Sequence, residues 1–230
     1  MLIYLTRCVA LGAGGRLLPI YSVAREDKKV AITFNCAWNG EDIPLILETL
    51  DKYGAKATFF ALGTWVDSYP EETKAIIEAG HEIGTHSNTH PDMTKISREK
   101  ITEELLRSSE KIERVTGIKP KLFRAPSGAY NNELIECASG LGFTTIQWDI
   151  DSRDWKNPPQ DEMIKSVTEN TGKGSIILFH CGLKVTDESL PAILENLKNE
   201  GYQFVKVSDL IYKGEYTIDN SGKQYGLAKK

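Results

Sequence analysis

The sequence predicts an α/β fold, a deformed (β/α) barrel of about seven strands. Short runs of apolar and β-branched residues alternate with amphipathic helical segments along most of the 230 residues, a pattern typical of parallel strands joined by helices. In addition, polar side chains follow the carboxyl ends of many predicted strands. An open doubly wound sheet gathers its ligands at one switch point, whereas a closed barrel brings all of these ends to one mouth. The position of the polar residues therefore favours the barrel.

Local signals define the individual elements. Val30–Phe34 is a continuous apolar and β-branched run, typical of a strand buried on both faces. Pro70 and Gly80 mark the two ends of one helix, and Ser97 caps a long helix that ends at Gly117. The predicted strands are 30–34, 57–61, 81–85, 121–124, 144–148, 175–180 and 203–207, and the predicted helices are 42–53, 70–79, 97–116, 132–141, 161–171 and 189–200.

The elements predict one domain over residues 29–212, with an N-terminal extension (1–28) and a C-terminal tail (213–230). The apolar segment Met1–Gly15 is interrupted by Arg7 and is too short to span a bilayer, so we expect no stable membrane insertion. The same segment is a poor signal peptide. The tail is polar and lacks periodicity, which predicts a loosely held segment.

Composition disfavours some partners. A net charge of −4 without a basic stripe disfavours nucleic acid. Hydrophobic content of 40% and charged content of 26% are typical of a soluble globular protein, which we expect to be a monomer. The cysteines form no CxxC pair and no compact disulfide framework, so they leave the redox compartment open. They are Cys8, Cys36, Cys137 and Cys181.

Two of the four histidines, His86 and His90, lie four residues apart directly after a predicted strand. Neutral imidazole is the commonest metal ligand, and this spacing lets both rings reach one ion if the backbone makes about one turn. The alternative is a pair of solvated loop histidines. Cys36 is a candidate third ligand as a thiolate, or else a small buried residue.

The remaining polar residues at the predicted mouth suggest acid–base chemistry. His180 ends a strand, and a carboxylate from the neighbouring Asp151–Asp154 segment would orient it as a general acid requires. Asp151 has an alternative role, capping its own loop through an Asx turn. Arg124 is a candidate to bind a carboxylate through two hydrogen bonds. The turn that contains Ser127 is a candidate to direct a backbone N–H at a developing oxyanion.

Five motifs in this order resemble those of the NodB-homology polysaccharide deacetylases, in their spore and cell-envelope branch. The motifs are Thr33-Phe34-Asn35-Cys36, His86-x-x-x-His90, Arg124-x-Pro126, Asp151-x-x-Asp154-Trp155 and Leu178-x-His180. The resemblance implies a metal-dependent hydrolase, using zinc or cobalt, that removes N-acetyl groups from peptidoglycan or chitin-like polymers, or O-acetyl groups from xylan. It also implies an extracellular or cell-envelope location.

The resemblance also implies residue roles. His86 and His90 would bind the metal, with Cys36 at the position of a third ligand. His180 would protonate the leaving amine, tuned by Asp154, while Arg124 would hold the base. The predicted substrate contacts are the backbone N–H of Ser127 for the oxyanion, Trp155 and Leu178 for the acetyl methyl group, and Tyr130 in the same loop as Ser127.

The first motif departs from the family pattern. Fully active members have two aspartates where this chain has Asn35 and Cys36. A carboxamide cannot accept a proton near neutral pH, and general-base catalysis is worth about 10²–10⁴-fold. We therefore expect an N-deacetylase impaired at its base, through either a deliberate or a natural substitution, unless another carboxylate such as Asp151 serves. The alternatives are a glycan-binding pseudoenzyme and a metal-independent amide hydrolase.

Overall fold

The computed structural model describes residues 15–227. Its main sheet is parallel, with the strand order β6-β5-β4-β3-β2-β8-β7, and β9 pairs with the start of β2. The strands are, in chain order, β1 (Ser22–Val23), β2 (Lys29–Cys36), β3 (Ala57–Ala61), β4 (Glu82–Thr85), β5 (Leu122–Phe123), β6 (Thr144–Thr145), β7 (Ile150–Asp151), β8 (Ile176–His180), β9 (Gln203–Phe204), β10 (Tyr216–Ile218) and β11 (Lys223–Gly226).

The sheet curls because its two edge strands are consecutive in the chain. β6 pairs with β5 and β7 pairs with β8, yet only residues 146–149 separate them. Four extended residues span at most about 14 Å, so the two edges of the sheet must approach each other. Ile20 pairs with Ile146 at this point. The predicted deformed barrel is confirmed, although the strand predicted over 144–148 is limited to β6, and a second short strand that was not predicted, β7, follows it and pairs with the opposite edge.

The core is divided by the sheet. Alternate residues of β2, among them Phe34 and Cys36, pack in a cluster with helix residues such as Ile46 and Leu194. Ala31, on the opposite face of β2, packs in a second cluster with residues of neighbouring strands. Since side chains alternate along a strand, Asn35 shares the face of Ala31, inside the barrel.

The helices largely follow the predicted positions. They are α1 (Ile43–Lys52), α2 (Gly63–Ser68), α3 (Pro70–Glu78), α4 (Arg98–Thr116), α5 (Asn132–Gly140), α6 (Gln160–Asn170), α7 (Lys184–Asn199) and α8 (Val207–Leu210). α2 and α8 are too short for a periodic pattern to predict. α7 begins five residues before the predicted start, so Pro191 lies inside the helix and not in its first turn.

The expectation of a loosely held tail is wrong for residues 213–227. β10 and β11 form an antiparallel pair, and β1 adds to β11 in parallel. Buried Gln224 exchanges hydrogen bonds with the backbone of Tyr212, at 2.9 and 3.1 Å. Hydrogen bonds between a side-chain amide and the backbone of another segment depend on tertiary packing, which local periodicity does not predict. Of the segment Met1–Gly15, considered above as a signal peptide, residues 1–14 lie outside the described residues.

No helix within residues 15–227 is long and apolar enough to cross a membrane.

Candidate active site

His86 and His90 lie in the loop that follows β4, at the carboxyl end of the barrel. Nδ1 of buried His86 is 2.9 Å from the carbonyl oxygen of Arg124. Because a carbonyl oxygen only accepts, this nitrogen carries the proton and Nε2 keeps its lone pair. Burial lowers the pKa of His86 to about 3, so the ring is neutral near pH 7. The two imidazole centroids are 5.0 Å apart.

The loop holds this arrangement through its backbone. Ser87 and His90 both have positive φ, 75° and 62°. The Oγ of Ser87 accepts from the His90 N–H at 3.0 Å. Glu104 of α4 accepts from the N–H groups of Asn88 and Thr89, each at 2.8 Å. Sequence spacing did not reveal Glu104, since it is distant in the chain and belongs to no motif.

Cys36 does not join the two histidines. Its Sγ lies 3.0 Å from Sγ of Cys181, and both residues are fully buried. Among residues 15–227, no group of three or more His, Cys, Asp or Glu side chains is arranged to hold a metal ion. The reason is the strand alternation: Asn35 faces the barrel interior, so Cys36 points toward the helix layer. The structure does not support the predicted use of Cys36 as a ligand.

His180 and Asp154 form a tightly held pair. Nδ1 of His180 lies 2.7 Å from Oδ1 of Asp154, whose side chain is fully buried. The carboxylate also accepts from the backbone N–H groups of His180 (2.6 Å) and Trp155 (2.8 Å) and from the hydroxyl of Thr186 (2.8 Å). Four donors fix the carboxylate, and the carboxylate fixes the imidazole with Nε2 left for another partner. The structure thus brings together the predicted histidine and aspartate, and adds Thr186.

Asp151 does not compete for this role. Its Oδ1 accepts from the backbone N–H of Arg153 at 2.8 Å, which is the Asx turn considered as its alternative.

Arg124 and Asn35 meet inside the barrel. Nη1 of Arg124 donates to Oδ1 of Asn35 and Nη2 donates to the carbonyl of Gln147, both at 3.1 Å. The guanidinium is fully buried, and it lies 4.1 Å from the ring centroid of Phe60 and 5.4 Å from that of Trp148. Burial lowers the pKa of Arg124 to about 9. Asn35 in turn pairs in register with His180, so both halves of the site lie on adjacent strands.

The histidines of the two loops are within electrostatic reach of one another. After burial, which contributes most, the charge of His180 is among the causes that lower the pKa of His86 and of His90. The residues predicted from separate strands therefore converge on one mouth.

The predicted substrate contacts occupy different parts of this mouth. Leu178 precedes His180 by two residues on the same face of β8 and is buried, while Trp155 is half exposed. Ser127 lies in a tight turn with φ 54°. Tyr130 is half buried and packs against Tyr21 and under the guanidinium of Arg16, in the N-terminal segment.

Trp38 is a further residue of the mouth, to which the sequence assigned no role. Its ring stacks on the imidazole of His180 with centroids 5.2 Å apart, and the side chain is 55% exposed. The only available signal was its position two residues after the first motif.

A model of the polysaccharide deacetylase family matches residues 22–146, more than half of the chain. The chain belongs to the polysaccharide deacetylase family. Two relatives are the uncharacterized protein YlxY of Bacillus subtilis, 37% identical over 84% of this chain, and the peptidoglycan-N-acetylglucosamine deacetylase PgdA of Listeria monocytogenes, 35% identical over 90% of it. The chain spans 60% of the length of YlxY and 43% of that of PgdA.

Solved structures similar to this chain include one described as a pseudoenzyme. Wild-type BA3943 of Bacillus anthracis, a CE4 family pseudoenzyme, matches with a TM-score of 0.81 and 36% identity, over 84% of this chain and 68% of that one. A BA3943 mutant described as having restored enzymatic activity matches with the same TM-score over 70% of its length. The proteins similar to this chain thus include both a peptidoglycan deacetylase and a pseudoenzyme.

Proposed function

We propose that this chain is an N-deacetylase of an acetylated amino-sugar polymer, of the peptidoglycan or chitin type, whose turnover is lowered by Asn35. The observation that carries the proposal is the hydrogen bond from buried Arg124 to Asn35, beside an intact His180–Asp154 pair. The proposed acid, its positioning carboxylate and the arginine are retained, whereas an amide, Asn35, stands at the position of the proton acceptor and Cys36 stands at that of the second aspartate. The relatives that act on peptidoglycan support the substrate class and a cell-envelope location.

His180 is the proposed general acid. Asp154 binds Nδ1–H, so the proton for the leaving amine nitrogen is carried on Nε2. Trp38 covers one face of the imidazole and limits its rotation. The exposed face of Trp38 offers a flat apolar surface of the kind that packs against a sugar ring.

His86 and His90 are the proposed ligands of a divalent metal, zinc or cobalt. They fit such an ion because both are histidines of one loop and the Arg124 carbonyl leaves Nε2 of His86 free to bind. When bound, such an ion polarises a carbonyl oxygen and lowers the pKa of water. Cys36 is not included among the ligands.

The acetyl group is proposed to lie between Leu178 and Trp155, with the backbone N–H of Ser127 directed at the developing oxyanion. Tyr130 would contact the polymer beyond this pocket. Asn35 would hold the attacking water by a hydrogen bond but could not take its proton. This combination predicts ordinary substrate binding with slow hydrolysis.

The test combines binding and turnover. Binding of N-acetylated chito-oligosaccharides is measured by calorimetry, and acetate release is measured with zinc-loaded protein, with chelator and with the His180→Ala variant. We expect saturable binding and slow release that both chelator and His180→Ala abolish. Release that survives chelation would instead indicate a metal-independent amide hydrolase.

A glycan-binding pseudoenzyme is the second candidate, favoured by the similarity to BA3943. It predicts the same saturable binding with no acetate release under any of these conditions. Absence of both binding and release would contradict both candidates.

A further inference from the structure

Cys36 and Cys181 form a pair of buried thiols below the mouth. Cys36 ends β2, and Cys181 directly follows β8. Their Sγ atoms are 3.0 Å apart and both residues are wholly shielded from solvent. Each follows a residue of the candidate site, Asn35 or His180.

The backbone holds these two residues side by side. Asn35 and His180 are paired in register on parallel strands, and the N–H of Cys181 donates to the carbonyl of Asn35 at 3.1 Å. Residues paired on neighbouring strands lie about 5 Å apart at Cα, inside the roughly 4.4–6.8 Å that a disulfide spans. No backbone movement is therefore needed to join the two sulfurs.

We propose that Cys36 and Cys181 form a disulfide bond that ties the ends of β2 and β8 beneath the candidate site. A low-molecular-weight disulfide is the oxidant. One cysteine thiolate attacks it, forming a mixed disulfide and releasing one small thiol. The second cysteine thiolate then displaces the other small thiol. The two electrons and two protons of the cysteines end on the two released thiols.

The bond forms while the chain folds. In the folded protein both thiols are buried, and burial raises the pKa of Cys181, so thiolate is scarce there. Once closed, the bond fixes the spacing between Asn35 and His180. It also removes the Cys36 thiol from metal binding, in agreement with its direction away from the histidines.

Cys137 is an internal control. It is also buried, but its Sγ lies 3.3 Å from the hydroxyl of Thr102, and no cysteine within residues 15–227 pairs with it. A general tendency of buried cysteines to oxidise would affect Cys137 as well as Cys36 and Cys181.

The experiment maps disulfides after refolding. The 230-residue chain with Cys8→Ser, which removes the cysteine outside the described residues, is refolded with reduced and oxidised glutathione or with reductant alone. The monomeric fraction is alkylated in denaturant and its peptides are analysed by mass spectrometry. We expect a linked peptide pair containing Cys36 and Cys181, with Cys137 alkylated. Thermal unfolding of the oxidised form should occur about 10 °C higher than that of the reduced form.

The Cys36→Ser variant should lose the linked pair, leave Cys181 alkylated and show no effect of glutathione on thermal unfolding. Full alkylation of Cys36 and Cys181 after oxidative refolding would overturn the proposal. So would pairing of either one with Cys137. The mapping of the Cys8→Ser protein decides the question even where the Cys36→Ser variant fails to fold, and it does not depend on deacetylase activity.

Discussion

Nη1 of Arg124 donates a 3.1 Å hydrogen bond to Oδ1 of Asn35 in the interior of the barrel. The guanidinium is fully buried between aromatic rings, and among the described residues no carboxylate forms an ion pair with it. A buried cation without an opposite charge is costly. The family resemblance implies an aspartate at position 35, whereas Asn35 provides the cation with only an amide oxygen.

Asn35→Asp should therefore stabilise the protein. The new carboxylate would accept a charge-assisted hydrogen bond from Arg124, and we expect a gain of about 1–3 kcal/mol in the free energy of unfolding at pH 7. Because pairing lowers the folded-state pKa of the new carboxyl, the gain should be present above its unfolded pKa and disappear as the pH falls. Urea denaturation at pH 7 and at about pH 2 measures both effects. A variant less stable than the wild type at pH 7 would contradict this account of Arg124.

Asp154→Asn should destabilise the protein although it keeps the shape of the side chain. Asp154 accepts four hydrogen bonds, two of them from backbone N–H groups. The amide NH₂ of asparagine would face donors, and we expect a loss of about 2–4 kcal/mol. Asp161→Asn is the matched control, since Asp161 is exposed in the first turn of α6 and should cost less than about 1 kcal/mol. Equal losses for the two variants in chemical denaturation would contradict the role of Asp154.

Asp187→Asn should change how stability depends on pH. Burial and the neighbouring Asp42 carboxylate raise the pKa of Asp187 to about 7. Between about pH 4 and 7 the folded protein holds a proton that the unfolded chain has released, so the wild type loses stability as the pH rises through this window. Asparagine supplies a permanent donor to Asp42 and should reduce this loss.

The comparison uses urea denaturation at pH 5 and pH 8, with Glu195→Gln as the control. This variant removes the same charge from an exposed position farther along the same helix. The difference in stability between the two pH values should shrink for Asp187→Asn and stay near the wild-type value for Glu195→Gln. Parallel behaviour of wild type and Asp187→Asn would show that Asp42 and Asp187 do not share a proton.

His86→Ala should lower zinc affinity by about 100-fold or more, because it removes one of two proposed ligands. Calorimetric titration of chelator-treated protein measures this affinity. His81→Gln is the control: His81 precedes β4, at the opposite end of the barrel, and should leave zinc affinity unchanged. Equal zinc affinity of the wild type and His86→Ala would contradict a metal site at this mouth.

Strand runs and polar residues at strand ends were sufficient to predict the barrel and the convergence of His86, Arg124 and His180. Side-chain direction was harder to predict. Cys36 was predicted as a candidate ligand because a thiolate binds zinc and the family resemblance has a ligand at this position, whereas strand alternation turns it toward Cys181. Short elements such as β7 and the hairpin of β10 and β11 depend on tertiary pairing, which local sequence does not encode. The hydrogen bond from Thr186 of α7 to Asp154 likewise depends on tertiary packing.

We propose that Asn35 limits turnover at a site that retains the His180–Asp154 pair, Arg124 and the two histidines of the β4 loop. The most direct measurement is kcat/KM for acetate release from N-acetylated chito-oligosaccharide by zinc-loaded Asn35→Asp and wild-type protein, with Asn35→Asp/His180→Ala as the control. Restoring the base should raise kcat/KM by about 10²-fold or more, and the control should lose this gain. Equal values for Asn35→Asp and the wild type would contradict the account.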